Sequence, residues 1–126
     1  MSLIGAILGN ASEMSVEEAT EALKGILLPE GETVQKAYKF VRDMIVFTNK
    51  RLIFVNKQGM QGKKVEYFSL PYKSVIAFST ENAGTLDLDS ELKIWVRGQS
   101  MPFTKKFMKG SDDILAIQQE LARRVL

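Results

Sequence analysis

The chain has no cysteine and no histidine among its 126 residues, one tryptophan and three prolines. Without thiols no disulfide forms, so the fold needs no oxidising compartment. The usual thiolate and imidazole ligands of structural zinc are missing. Cysteine nucleophiles, and every mechanism with histidine as general base, are excluded with them. Charge of one sign is also lacking: the net charge of +2 is too small to attract nucleic acid or an anionic membrane unless basic residues cluster locally. No long hydrophobic run occurs. The opening MSLIGAILGN is apolar but short, and no Lys or Arg precedes Lys24. A secretory signal wants a positive start, and a spanning helix wants roughly 20 apolar residues. The expected location is the cytoplasm.

What is present fits one soluble domain, with 45% hydrophobic and 25% charged residues. Ser15-Val16-Glu17-Glu18 is a capping-box pattern, followed by Ala19, Ala22, Leu23, Ile26 and Leu27 at helical spacing. With Pro29 and Gly31 as stops, the pattern predicts a helix over 15–28, preceded by a short apolar helical turn. From Thr33 the period changes to two. Strands are expected at 33–41, 44–48, 51–57, 63–70, 75–81, 86–97 and 101–108, separated by Asn-, Asp-, Gly- and Pro-bearing breaks. In 86–97, Leu86, Leu88, Ser90, Leu92, Ile94 and Val96 share one face, and Asp87, Asp89, Glu91, Lys93, Trp95 and Arg97 the other. So long a strand should bend or bulge, with Ser90 the expected place. A final helix follows, with Ser111 as N-cap, a stripe of Ile114, Ile117, Leu121 and Val125, and Arg123 and Arg124 at the negative end. The expected fold is mainly β with helices: about seven strands in a strongly bent antiparallel sheet, a partly open barrel capped by the C-terminal helix.

That order of strands and helix resembles the pleckstrin-homology (PH) superfold, and the wording is similar to the single-domain bacterial PH-like proteins. The matching stretches are VRDMIVFTNKRLIFVNKQGMQGKKVEYFSLPYKSVIAFS and AGTLDLDSELKIWVRG. They carry a TNKRL turn at Thr48–Leu52, a PYKS turn at Pro71–Ser74 and a Gly-x-x-Asp-x-Asp-x-Glu-Leu strand at Gly84–Leu92. With the last helix they span 30–126, leaving 1–29 as an N-terminal helical segment. The resemblance implies a scaffold domain without enzymatic activity that assembles as closed homo-oligomeric rings through strand edges, with a hydrophilic surface where protomers meet. It supplies no cofactor and no named partner.

Lys50–Arg51 reads two ways: as a ligand-contacting tip, or as the solvated end of a hairpin in which Asn49 takes a positive φ. A head-group cradle of the PH type would need a long connection between the first two long strands, and that connection is only Arg42-Asp43. Carboxylates at Asp87, Asp89 and Glu91 are about 7 Å apart from one to the next along an extended strand, too far for one cation to hold all three. They read as an outward polar face and not as a metal site. Lys105, Lys106 and Lys109 beside Phe103 and Phe107 suggest stacking on single-stranded nucleic acid, but simple alternation with the lysines in water explains them without it. Trp95, on the polar face, calls for cover from the N-terminal helix or another subunit, as do Leu3, Ile4, Ile7 and Leu8.

The residues and the resemblance together point to a non-catalytic, self-assembling interaction module. The expected assembly is a ring of about five copies paired through open strand edges, the proline-free 86–97 strand among them. The expected shared surface comprises Thr48, Asn49, Lys50, Arg51, Asp87, Asp89, Glu91 and Trp95. The competing reading is a peripheral membrane domain that binds anionic phospholipid head groups.

Overall fold

The computed structural model describes residues 12–40, 42–60, 63–81, 89–108 and 113–126. In chain order these form β1 (Ser12–Met14), α1 (Val16–Ala22), β2 (Val34–Lys39), β3 (Met44–Thr48), β4 (Arg51–Gln58) and β5 (Lys64–Pro71). A single 3-10 turn (Tyr72–Ser74), β6 (Val75–Glu81), β7 (Asp89–Val96), β8 (Phe103–Met108) and α2 (Asp113–Val125) follow. The strands build two antiparallel sheets, β1-β2-β3-β4-β5 and β6-β7-β8, which do not close into one barrel.

The N-terminal segment departs from expectation in two ways. Ser12–Met14, read as part of a helical turn, is a strand paired with β2. The helix expected over 15–28 stops at Ala22. Ser15 Oγ accepts from the Glu18 amide at 3.0 Å, so the predicted cap forms. Gly25 takes φ 89°, however, and breaks the helical course at a backbone angle that favours glycine. Ile26 and Leu27 then continue as turns and still pack against the sheet.

The large sheet is buried on both faces along β3 and the first part of β4, while β5 lies largely at the surface. Its inner face sends Tyr38, Ile45, Phe47, Leu52, Phe54 and Leu70 into the main core. There they meet Leu92 and Ile94 of β7 and the α2 stripe of Ile114, Ile117 and Leu121. Its outer face sends Val34, Ala37, Val46, Ile53 and Val55 into a second core under Met14, Ala19 and Leu23. The N-terminal segment thus covers the large sheet, and all five residues of β3 are buried.

The small sheet follows the expected alternation: Ser90, Leu92 and Ile94 are buried while Glu91, Lys93 and Trp95 are partly exposed. Two expectations about its long strand fail. β7 pairs with β6 on one side and β8 on the other, so it is the central strand and offers no edge. The register shift falls between Val75 and Ala77, opposite Val96 and Trp95, and not at Ser90, which pairs regularly with Phe107. Ile76, the residue bulged out there, is exposed. Leu86, Leu88, Asp87 and Ser111 lie outside the described residues, as do Leu3, Ile4, Ile7 and Leu8.

α2 is fastened at its C-terminal end by Arg124. Its guanidinium bonds Gln35 Oε1 at 2.9 Å and the Glu120 carbonyl at 3.0 Å, pairs with the Glu120 carboxylate, and lies 5.1 Å from the Phe47 ring centre. Arg124, in the last turn, complements the negative end of the helix. It also docks the helix onto β2 and β3.

Candidate functional site

The TNKR turn between β3 and β4 is built around a carboxylate that the sequence reading missed. Glu32 has a fully buried carboxylate. Arg51 Nε donates to its Oε2 and Arg51 NH2 to its Oε1, each at 2.9 Å, a bidentate fork. The Leu28 amide adds a bond at 2.9 Å and the Thr48 hydroxyl another at 2.7 Å. Arg51 also reaches Ser69 Oγ and the Ile26 carbonyl, both at 2.9 Å. One side chain therefore ties β4 to β5 and to the N-terminal segment. The bonds from Arg51 dominate the Glu32 titration, and with Leu28 and Thr48 they outweigh desolvation, lowering its pKa from 4.5 to about 2. Arg51 is raised in turn by its hydrogen bond to Glu32.

Thr48 is wholly buried. Its Oγ1 accepts from the Lys50 and Arg51 amides at 3.0 and 2.9 Å, which shapes the turn. Asn49 clamps the turn to residues 31–33: Nδ2 donates to the Gly31 carbonyl and Oδ1 accepts from the Thr33 amide, both at 2.8 Å. Asn49 does not take a positive φ; among the described residues only glycines do. The Tyr72 hydroxyl donates to the Thr48 carbonyl at 2.6 Å, and burial pushes that phenol well above its ordinary pKa. The structure thus turns Thr48 and Arg51 inward and leaves Asn49 and Lys50 exposed. A signal for Glu32 was present: one acid beside Gly31 in a helix-to-strand turn, with an arginine starting the strand two along. Nothing local in the sequence joins the two.

Elsewhere the expected site residues separate. Glu91 pairs with Lys93 at 3.5 Å and sits between Glu81 and Lys106 across the ladder. Trp95 lies opposite Ala77 on the outer face of the small sheet, while α1 covers the other sheet. Asp87 and the side chain of Asp89 lie outside the described residues. Among the described residues no three Asp or Glu side chains converge as metal ligands. Lys105 corrects the alternation reading: it points inward, bonds Asp43 at 2.9 Å and lies 5.4 Å from the Phe40 ring centre, which ties the two sheets together. The other oxygen of Asp43 accepts from the Lys57 amide at 2.9 Å.

Between β5 and β8 the sheets part. Phe68 and Phe103 stack across the gap with ring centres 5.2 Å apart. Beside them opens a groove of about 410 Å³, floored by Phe68, Leu70, Val96, Met101 and Phe103. Its polar lining residues are Ser69 and Gln99. Pro71 and Pro102 also line it, and neither has an amide hydrogen to start a ladder across the seam. The groove is apolar and carries no carboxylate. It holds no set of groups arranged as nucleophile, base and electrophile.

Two bent antiparallel sheets with a helix across one end make this a PH-like domain. The sequence model of the bacterial PH domain matches residues 2–125, and the chain belongs to that family. The protein YjqA of Bacillus subtilis is 54% identical over 122 residues, 97% of each chain. A pleckstrin-homology domain of known structure from Shewanella amazonensis SB2B is 47% identical, covers 98% of both chains and superposes with a TM-score of 0.81. A family protein with a pleckstrin-homology domain from Shewanella loihica PV-4, also 47% identical, covers 94% of this chain and 99% of its own, with a TM-score of 0.78. Nothing in these relatives indicates catalysis. Among the described residues no helix is long and apolar enough to cross a membrane.

Proposed function

We propose that the protein is a non-catalytic interaction module of the cytoplasm that assembles head to tail into a closed homo-oligomeric ring. One observation carries this reading. Among the described residues the large sheet ends in two different edges, β1 and β5, each with a strand on one side only. An unpaired edge exposes backbone donors and acceptors, which proteins cover, blunt or pair. Two unlike edges pair heterologously, and a constant rotation per step closes into a ring or runs on as a filament. The proposed ring has about five copies. The protein-binding surface is hydrophilic, built from Asn49 and Lys50 on the β3–β4 turn and from Glu91, Lys93 and Trp95 on the uncovered face of the small sheet. The edges that pair in this reading are β1 and β5, since β7 is the central strand of its sheet.

Binding to anionic lipid finds less support, because Arg51 is committed to Glu32 and the Arg42-Asp43 connection is short. Light scattering coupled to size exclusion, across loading concentrations, tests the ring. One discrete mass at several multiples of 14.1 kDa is expected. A single species at 14.1 kDa into the hundred-micromolar range, taken as roughly the span of weak association, would overturn it.

A further inference from the structure

The groove beside Phe68 and Phe103 joins two kinds of surface. Its floor is apolar. One wall is Phe68, Ser69, Leu70 and Pro71, the four consecutive residues that end the edge strand β5. An edge strand turns every second residue's amide and carbonyl away from its single neighbour. The groove therefore runs beside backbone groups that β4 does not use.

At its Pro71 end the groove meets two exposed cations. Lys73 stands two residues beyond Pro71, and Arg97 directly follows Val96 of the floor. Hydrogen bonds hold them at one place. The Arg97 amide donates to the Ser74 carbonyl at 2.8 Å, and the Arg97 guanidinium donates to the Lys73 carbonyl at 3.3 Å. Among the described residues neither cation has a carboxylate partner. We propose that the groove binds an extended segment of a partner protein. A bulky apolar side chain fills the groove, and an Asp or Glu one or two residues on meets Lys73 and Arg97.

Charge complementarity selects the acidic residue, and the edge selects a peptide. A chain laid along Phe68–Pro71 gives the free backbone groups partners, and Gln99 at the rim can both donate and accept. An acyl chain would leave the same polar groups facing hydrocarbon, which costs desolvation. Nucleic acid needs a wider basic surface than two side chains on a protein of net charge +2. A volume of about 410 Å³ is that of a ligand pocket and takes side chains, not a folded domain. This inference goes beyond the hydrophilic surface and the ring proposed above and requires neither. β1 is three residues long and β5 eight, so a neighbour's β1 seated along Lys64–Tyr67 leaves the groove open.

A fluorescein-labelled, positional-scanning hexapeptide library, read by fluorescence anisotropy against the full chain, tests the groove. Enrichment of Leu, Ile, Met or Phe at one position, and of Asp or Glu one or two positions on, is expected. The best peptide is then titrated against variants at exposed positions. One chain combines Lys73→Glu with Arg97→Glu; another carries Met101→Asp, which sets a carboxylate on the groove. Each should weaken binding on the order of tenfold, the first most strongly at low salt. Lys24→Glu, an exposed charge reversal on the N-terminal segment, should leave the affinity unchanged. Circular dichroism of every variant confirms the fold, so that a lost signal reads the contact. A library with no enriched position, selected peptides without an acidic position, or an affinity indifferent to Met101→Asp would each overturn the proposal. Dodecanoate raising the thermal midpoint where the library selects nothing would assign the groove to lipid instead. Light scattering reports the ring separately, so either reading can fail while the other stands.

Discussion

The two sheets are built to different rules. The five-stranded sheet is covered on both faces over β2, β3 and β4, by the main core within and by the N-terminal segment without. The three-stranded sheet is covered on its inner face, and Glu91, Lys93 and Trp95 look outward from its central strand. The consequence is visible in composition. β3 reads MIVFT, five buried residues in succession, whereas β7 alternates. A strand buried on both sides has no polar face to display. The comparison also locates function: β3 and β4 offer a partner no open face, whereas the small sheet does.

Arg51 is where the covered sheet is most vulnerable. Replacing it with methionine leaves the Glu32 carboxylate buried without its counter-ion, a change that costs about 3–5 kcal/mol. We expect Arg51→Met to lower the urea midpoint by the corresponding amount at neutral pH. The loss should shrink in acid, where Glu32 takes up a proton. The same double variant with Glu32→Leu should recover much of the stability, since an apolar pair avoids the uncompensated charge. If Arg51→Met is neutral, the clamp does not hold the N-terminal cover and the two-faced description fails.

The pH dependence of the intact protein follows from the same group. Glu32 is depressed from 4.5 in the unfolded chain to about 2 in the folded one. A depressed carboxylate contributes stability above its unfolded value and loses it as pH falls through the folded value. The contribution is fully present above about pH 4.5 and declines from there toward about pH 2. At about 1.4 kcal/mol per unit it is on the order of 3 kcal/mol. Chemical denaturation of the protein and of Glu32→Gln across that window should give curves that converge on acidification. Parallel curves would assign the acid sensitivity elsewhere.

Much of this architecture was legible in the sequence, and the misses share a cause. The strands from 34 onward, the α2 stripe and the alternation of β7 all depend on periodicity, which is local. So did the Ser15 cap, which needs only Glu18 three residues on. What escaped depended on contacts far apart in the chain. Glu32 and Arg51 are separated by 19 positions, and Lys105 finds Asp43 at a separation of 62. Ser12–Met14 is too short to show a period, and its pairing with β2 alone makes it a strand. The candidate surface fared accordingly. Lys50 and Asn49 stand at the surface as a turn pattern suggests, while Thr48 and Arg51 were drawn inward by a partner that no spacing rule reveals.

The smallest expected effects compare the two outer faces directly. Ile53, on the outer face of the large sheet, is fully buried in the second core. Ile53→Ala removes buried methylenes and leaves a cavity, a loss of about 2–5 kcal/mol by the usual range for such truncations. Lys93 holds the equivalent outward position on the small sheet, paired with Glu91 at 3.5 Å and 41% exposed. An exposed pair of this kind contributes about 0–1 kcal/mol. Lys93→Ala should therefore leave the thermal midpoint of a dilute sample almost unmoved, while Ile53→Ala lowers it by many degrees. The informative measurement repeats Lys93→Ala over a range of protein concentrations. If the face stays open in the assembled protein, the variant and its parent superpose at every concentration. A destabilisation that grows with concentration would mean that assembly covers the small sheet as well, and the contrast between a covered sheet and an open one would hold only for the lone protomer.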